Sequence, residues 1–311
     1  MFYEALAKRL HSHHFYWETI QQNLRKESGG YAGELRVDRE LSETQYFKDY
    51  KIMRNVFVGN KDSYCQIDTL VIYQTFILVI EVKNIPGVLT YDENTHQLTR
   101  RRDNGPVEGM GDPESQLKRC ERFVKKFLDQ KRILIPIHGM IVFANPASIL
   151  ERPFPRSHAI HVSGLYQAMD NLHQLHAEHQ KLPQFDTRKI HRLFEKYEPI
   201  LPPYRPTHIP INMLTDVISG VLCPNCVRTK LLYKSKLWRC TVCKLKSEDA
   251  HLETLQEYLI LFNEELGTSE WMKFAGLNSL ATTRRMLNAS NLEIKGGNRN
   301  RNWIIRKISK S

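Results

Sequence analysis

The hydrophobic pattern changes character several times along the 311-residue chain, and each change marks an element. Between Ser63 and Asn84 two apolar, β-rich runs flank the polar pair Gln74-Thr75, so they read as adjacent strands of a hairpin. Both strands are apolar on both faces, as in a sheet interior covered on each side. A strand at Lys51–Val58 precedes them, and a peripheral hairpin turning at Asp92-Glu93-Asn94 follows over Gly87–Arg102. Leu117, Cys120, Phe123, Val124, Phe127 and Leu128 recur at helical spacing and predict an amphipathic helix over Pro113–Lys131. Its proline lies near the start, where a helix tolerates it. Ile137–Ala144 reads as a buried strand, and Ala159–Val162 as a further one. Upstream, Tyr16–Leu41 predicts one or two helices broken at Gly29-Gly30. The order predicts an α/β core, a mixed central sheet flanked by helices.

Residues 164–198 read as helical and histidine-rich, with His173, His176 and His179 at i, i+3 and i+6. The preferred expectation for them is an exposed polar helix face rather than a metal site. LPPYRPTHIP, with Pro202, Pro203, Pro206 and Pro210, then reads as a stiff linker. Beyond it, His251–Leu266 and Ser269–Ala275 predict helices, Gly276-Leu277-Asn278 a turn, and Ser279–Ala289 another helix. Two short strands around Gly296-Gly297 complete a helix-turn-helix, winged-helix-like order. The expected organisation is an α/β domain with helical extension over 1–200, a linker over 201–215, a small cysteine-bearing module over 216–250 and a winged-helix-like module over 251–311.

Chemistry enters with the charges in the central hairpin. If Gln74-Thr75 is a two-residue loop, the register sets Asp68 opposite Glu81 and Gln66 opposite Lys83, with each pair of a strand on one face. Two carboxylates, an ammonium and an amide would then converge. A divalent cation such as Mg²⁺ would offset the carboxylate repulsion, and Lys83 would activate water or stabilise charge on a phosphate. A structural ion pair of Lys83 with Glu81 or Asp68 is the plainer alternative.

The pattern Asp68…Glu81-x-Lys83 on consecutive strands resembles the PD-(D/E)xK nuclease superfamily. QID…VIEVKN resembles more closely the NERD (nuclease-related) domain, over roughly residues 28 to 145. Gly33-Glu34 matches that family's upstream Gly-Glu, and Gln116 its downstream Gln, although Asp112 stands where Asn is more usual. The resemblance implies an active-site set of Glu34, Asp68, Glu81 and Lys83 with Gln66 and Gln116 beside it. It implies a Mg²⁺- or Mn²⁺-dependent phosphodiesterase. A non-cutting DNA-binding regulator or scaffold and a ribonuclease are the alternatives.

The six cysteines divide into two groups. Cys65 and Cys120 read as free buried thiols. Cys223-x-x-Cys226 and Cys240-x-x-Cys243 have the spacing of a four-cysteine structural Zn²⁺ site on a β-hairpin, with a redox pair as the alternative. This resembles a zinc ribbon, and Lys230, Lys234, Lys236, Arg239, Lys244 and Lys246 give it a basic surface. Net charge of the chain is +11. From Trp271 onward nine Lys and Arg face one acid, Glu293. Such one-sided charge is a footprint for phosphate backbone, with a merely basic tail as the alternative. Thr283, Arg284, Arg285, Arg299 and Arg301 are the candidate DNA contacts, and double-stranded DNA is the expected partner. No apolar run is long enough to span a membrane, and the N-terminus lacks an apolar signal core, so the expected location is cytoplasmic. Oligomeric state and partner proteins have no signature in the residues.

Overall fold

The computed structural model describes residues 2–59, 63–102, 105–151, 154, 158–178, 184–196, 206, 209–262, 265–290, 292–295 and 302–305. In chain order the helices are α1 (Phe2–Arg9), α2 (Trp17–Glu43), α3 (Pro113–Gln130), α4 (Leu165–Leu175), α5 (Gln184–Lys196), α6 (His251–Leu261), α7 (Thr268–Ala275) and α8 (Leu280–Ala289). The strands are β1 (Lys51–Gly59), β2 (Tyr64–Ile72), β3 (Ile77–Lys83), β4 (Gly87–Asp92), β5 (Gln97–Arg101), β6 (Val107–Met110), β7 (Ile137–Phe143), β8 (Ser148–Leu150) and β9 (His158–His161). β10 (Leu232–Lys234), β11 (Leu237–Arg239), β12 (Lys246–Ser247), β13 (Glu265–Gly267), β14 (Leu292–Lys295) and β15 (Asn302–Ile305) follow. The chain divides into two compact units, residues 26–200 and residues 1–25 with 201–308.

The first unit is built on a five-stranded sheet in the order β1-β2-β3-β7-β9. β1, β2 and β3 are antiparallel neighbours, whereas β3, β7 and β9 run parallel. The long connection from β3 to β7 includes α3, as a parallel crossover requires. One face of the sheet packs on α3 and α5 through a core that includes Ile77, Val79, Leu117, Val124, Ile141 and Phe194. The other packs on α2 and α4 through Val37, Leu41, Leu78, Ile80, Val142 and Leu165. A second sheet, β6-β5-β4-β8, extends the expected peripheral hairpin to four strands.

Several expectations change. α2 runs unbroken through Gly29-Gly30. Its glycines allow close packing: a Cβ on Gly33 would meet the Asn84 Cβ at 2.8 Å, and the Gly29 carbonyl accepts from Asn84 Nδ2 at 2.6 Å. The histidines of α4 are not an exposed face. His173 and His176 are buried. His173 stacks on Tyr46 with ring centroids 3.5 Å apart and meets the Tyr50 hydroxyl at 2.7 Å. His176 Nε2 lies 2.7 Å from His138 Nε2, and His138 is held below its ordinary pKa by burial and by that neighbour. His179, Pro202 and Pro203 lie outside the described residues.

In the second unit the ribbon and the helical segment share one hydrophobic core. Trp238 and Leu231 pack in the same cluster as Leu255, Trp271, Leu287 and Trp303. α6 ends at Leu261, and β13 follows, pairing Leu266 with Trp303 of β15. The order α6-β13-α7-α8-β14-β15, with sheet β13-β15-β14, is a helix-turn-helix closed by a small antiparallel sheet. Gly276, in the left-handed region at φ +72°, ends α7 and makes its turn.

The N-terminal helix belongs to this second unit. Arg9 is fully buried. It donates to Glu257 at 2.7 Å, to Thr254 at 3.1 Å, and to the carbonyls of Ile218 and Gly220 at 2.8 and 3.0 Å. Removing one partner of such a pair strands the other charge in the core. Arg9→Ala should therefore lower the stability of this unit by about 3–5 kcal/mol in denaturant titration, and a loss under ~1 kcal/mol, within the range of exposed pairs, would contradict the buried-pair assignment.

Candidate active site and metal centre

The hairpin register is the one the two-residue loop requires. Ile72 pairs with Ile77, Val71 with Leu78 and Thr69 with Ile80, and Tyr73 N–H bonds the Phe76 carbonyl at 3.0 Å. Continuing it sets Asp68 opposite Glu81. There the ladder stops: Asp68 Oδ2 accepts from the Val82 N–H at 2.8 Å, a carboxylate taking the place of a strand partner. Asp68 thus sits where β2 and β3 part.

The same point reverses the side-chain alternation of β2. Leu70 and Ile72 belong to the core cluster under α3, but so do Cys65 and Ile67, which strict alternation forbids. On β1 the matching switch lies between Met53 and Val56, at Asn55, whose φ is +53°. Asn tolerates that left-handed conformation better than most residues. Consequently Gln66 does not face Lys83. Gln66 Nε2 bonds Asn55 Oδ1 at 2.8 Å, and Asn55 Nδ2 reaches Glu34 Oε2 at 3.3 Å, on the side of α2.

Glu81 and Lys83 point to the α3 side. Lys83 Nζ donates to Glu81 Oε1 at 2.5 Å and to Gln116 Oε1 at 3.0 Å. Gln116 reaches the site because α3 starts at the right place. Asp112 caps it, accepting from the Glu114 N–H at 2.9 Å, which explains why Asp serves where Asn is more usual. The proposed residues therefore form two linked sets, Asp68–Glu81–Lys83–Gln116 and Glu34–Asn55–Gln66, on either side of the sheet's opening.

Two residues outside the predicted set hold this arrangement. Asn55 joins Glu34 to Gln66. Asn84 staples α2 to the sheet, donating to the Gly29 carbonyl and accepting from Arg36 Nη1 at 3.1 Å. A polar Asn directly after the apolar β3 run was the available signal for Asn84; nothing in the local pattern marks Asn55. Cys65 and Cys120 are the free, buried thiols expected, with the Cys120 thiol donating to the Gln66 carbonyl at 3.4 Å.

Burial shapes the charges. Glu81 is 2% exposed. Desolvation first, and Asp68 second, push its carboxyl up to about 7, while Lys83 pulls the other way. Asp68 is raised as well, mainly by burial, against the bond from Val82.

Cys223, Cys226, Cys240 and Cys243 converge with their sulfurs all within 4.8 Å of one another. A tetrahedral site with Zn–S bonds of about 2.3 Å has edges of about 3.8 Å, and the Cys223 and Cys243 sulfurs are 3.6 Å apart. The cluster sits on the small antiparallel sheet β10-β11-β12. Ser235 and Lys236, at φ +54° and +63°, form its tight hairpin turn. Backbone N–H groups of Cys243 and Val242 bring the Cys240 thiol down to about 7, ready to ligate. This is the donor set of a structural zinc site. Among the described residues it is the one group of three or more Cys, His, Asp or Glu close enough to share an ion.

On α8 the exposed residues are Leu280, Ala281, Arg284, Arg285, Asn288 and Ala289. Thr283 is not among them. It is fully buried, its hydroxyl donating to the Ser279 carbonyl at 2.8 Å, because it falls on the core face with Met286 and Leu287. Arg285 is tied to the ribbon through Tyr233 at 3.2 Å. Arg299, Arg301 and Arg306 lie outside the described residues. No described helix is long and apolar enough to cross a membrane.

Residues 29–144 match the family model of the nuclease-related domain, NERD. Over that segment, which holds every residue of the two linked sets, the chain is a nuclease-related domain. Neither the curated proteins nor the solved structures contain a match to the chain.

The raised Glu81 has a testable consequence. A carboxyl that holds its proton more tightly when folded loses stability as pH climbs from its ordinary 4.5 through about 7. Without divalent ions, stability should fall over that window by on the order of 2–3 kcal/mol, and Glu81→Gln should flatten the slope; an identical pH profile in the variant would refute the shift. Stripping metal from the cysteine cluster should redden the emission of Trp238, Trp271 and Trp303, buried in the shared core. Unchanged emission after one zinc per chain has been removed would show that the ion does not hold that core.

Proposed function

We propose that this protein is a metal-dependent nuclease that hydrolyses DNA phosphodiester bonds. The observation carrying the reading is the Asp68–Glu81–Lys83–Gln116 set, gathered at a sheet opening within a nuclease-related domain. Two carboxylates lie beside one ammonium, and burial holds Glu81 partly protonated near neutral pH. That donor set fits Mg²⁺ or Mn²⁺, which takes carboxylate oxygens, waters and phosphate. Asp68 and Glu81 would hold the ion, and when bound it supplies positive charge for the phosphate and for activation of water.

The chain's own groups have distinct tasks. The Val82 N–H fixes the Asp68 carboxylate. Gln116 and Glu81 hold the Lys83 ammonium in place, from which it stabilises charge building on the phosphate or takes part in activating the attacking water. Glu34 and Gln66, linked through Asn55, line the opposite side of the opening and would position the strand.

The second unit supplies substrate affinity in this reading. Arg284 and Arg285 on α8, with Lys234, Lys236, Lys244 and Lys246 on the ribbon, are surface cations suited to phosphate backbone. A recognition helix suits the wide major groove of B-form DNA and not the narrow one of RNA, which favours duplex DNA over RNA. Binding should weaken with salt through counterion release.

The test is incubation of purified protein with supercoiled plasmid, linear duplex and single-stranded DNA, with Mg²⁺, Mn²⁺ or EDTA. Cutting should require metal. Asp68→Ala and Lys83→Ala should each abolish it while leaving DNA binding largely intact. Wild-type protein that binds DNA yet cuts nothing would replace the nuclease with a DNA-binding scaffold, and loss of binding in both variants would assign these residues to the fold.

A further inference from the structure

Beside the opening lies a group of aromatic rings that neither core uses. β1 is the edge strand of the five-stranded sheet, and its outer end pairs only with β2, from Val56↔Ile67 to Gly59↔Tyr64. One face of this ribbon is buried: Val56, Val58, Cys65 and Ile67 lie in the core under α3. The other presents Phe57 and Gln66, which are cross-strand partners, and Tyr64. Phe57 and Tyr64 are partly exposed, with ring centroids 6.2 Å apart.

α2 adds a third ring. Asp38 bonds Arg54 at 2.5 Å and Glu34 bonds Asn55 at 3.3 Å, so α2 flanks β1 with its numbering running the opposite way. One turn before Glu34, about 4.5 Å along the helix, is Tyr31. Two residues beyond Asn55, about 6.6 Å along the strand, is Phe57. Both steps lead in the same direction, so Tyr31 lies on the side of Glu34 toward which β1 continues to Phe57. Tyr31 is 61% exposed and Leu35, on the same side of α2, is 48% exposed. The Glu34–Asn55–Gln66 chain connects this patch to the opening where Asp68 sits.

We propose that Tyr31, Phe57 and Tyr64 form a stacking platform for the bases of an unpaired nucleic-acid strand whose backbone reaches Asp68, Glu81 and Lys83. The inference rests on the nuclease reading for its position and deepens it, naming the form of nucleic acid at the cutting site. Aromatic side chains bind single strands because every base offers a π-face, whereas in a duplex those faces are already stacked. The 6.2 Å spacing of Phe57 and Tyr64 exceeds the rise of about 3.4 Å between stacked bases of B-form DNA. The two rings are tilted by 56° to one another, so they do not present one flat stack of the kind a duplex offers. The patch adjoins the reactive groups; of the described cations beside it, Arg54 is paired with Asp38 and Arg119 donates to the Tyr64 carbonyl at 2.6 Å. Ring stacking, not phosphate attraction, is what this surface offers.

The experiment compares the full chain with Tyr31→Ala, Phe57→Ala, Tyr64→Ala and Phe57→Tyr. Anisotropy of labelled oligodeoxyadenylate and of a blunt duplex is read across a salt series in EDTA, extending to salt high enough to screen phosphate contacts. Tyr31→Ala and Phe57→Ala should each weaken single-strand binding about 5- to 150-fold. The slope of log affinity against log salt should stay unchanged, since no phosphate contact is lost. Phe57→Tyr should keep wild-type affinity, and duplex binding should not move. Tyr31 is exposed, so its truncation tests the platform without disturbing the core. Unchanged single-strand affinity in every alanine variant, or an equal loss on duplex, overturns the platform. Because the measurement needs no cleavage, ring-dependent binding by a protein that cuts nothing would leave the platform standing and remove the nuclease reading.

Discussion

The bond between the Val82 N–H and the Asp68 carboxylate organises the first unit. A backbone donor in a buried sheet must find an acceptor. Here a side chain supplies it, so β2 and β3 separate at that residue. The separation opens the sheet, places Asp68 beside Glu81, and coincides with the switch in alternation at Asn55. Glu81 is a buried carboxylate in an otherwise apolar sheet, with the desolvation penalty that this carries. It stays buried even beside the opening, and the Lys83 ammonium at 2.5 Å offsets part of that penalty.

The helices around the sheet serve that opening. α2 lies close because Gly33 has no Cβ and Asn84 bonds its backbone, and this closeness carries Glu34 to the sheet edge. α3 begins at a capped Asp112-Pro113 step, so its first turn delivers Gln116 to Lys83 while later turns bury Leu117, Cys120 and Val124. Each helix therefore combines packing with positioning within a single turn. A substitution that shifts either helix would move Glu34 or Gln116 with it.

The second unit follows another constraint. A ribbon of three short strands has too little apolar area to fold alone, which is why such modules rely on a metal. Here the ribbon also lends Trp238 and Leu231 to a core shared with the helix-turn-helix. Arg285 on α8 bonds Tyr233 on the ribbon, joining the two surfaces at their polar edge. The cysteine cluster and the placement of α8 are thereby coupled through packing.

Much of this was legible from residues alone. Period-two and helical patterns located the central strands and α3, the two-residue loop set the Asp68–Glu81 register, and paired CxxC spacing identified the cysteine cluster, because these signals are local. What required the tertiary structure was non-local. The unbroken α2 depends on Asn84, 55 residues from Gly29. The turning of Gln66 away from Lys83 depends on the backbone of Asn55 on the neighbouring strand. The burial of His173 and His176 depends on Tyr50 and His138, and that of Thr283 on which face of α8 meets the core. The docking of α1 depends on Glu257, 248 residues from Arg9. Sequence periodicity states which residues want to be buried or charged; only the assembled sheet and helices decide which distant partner satisfies each one.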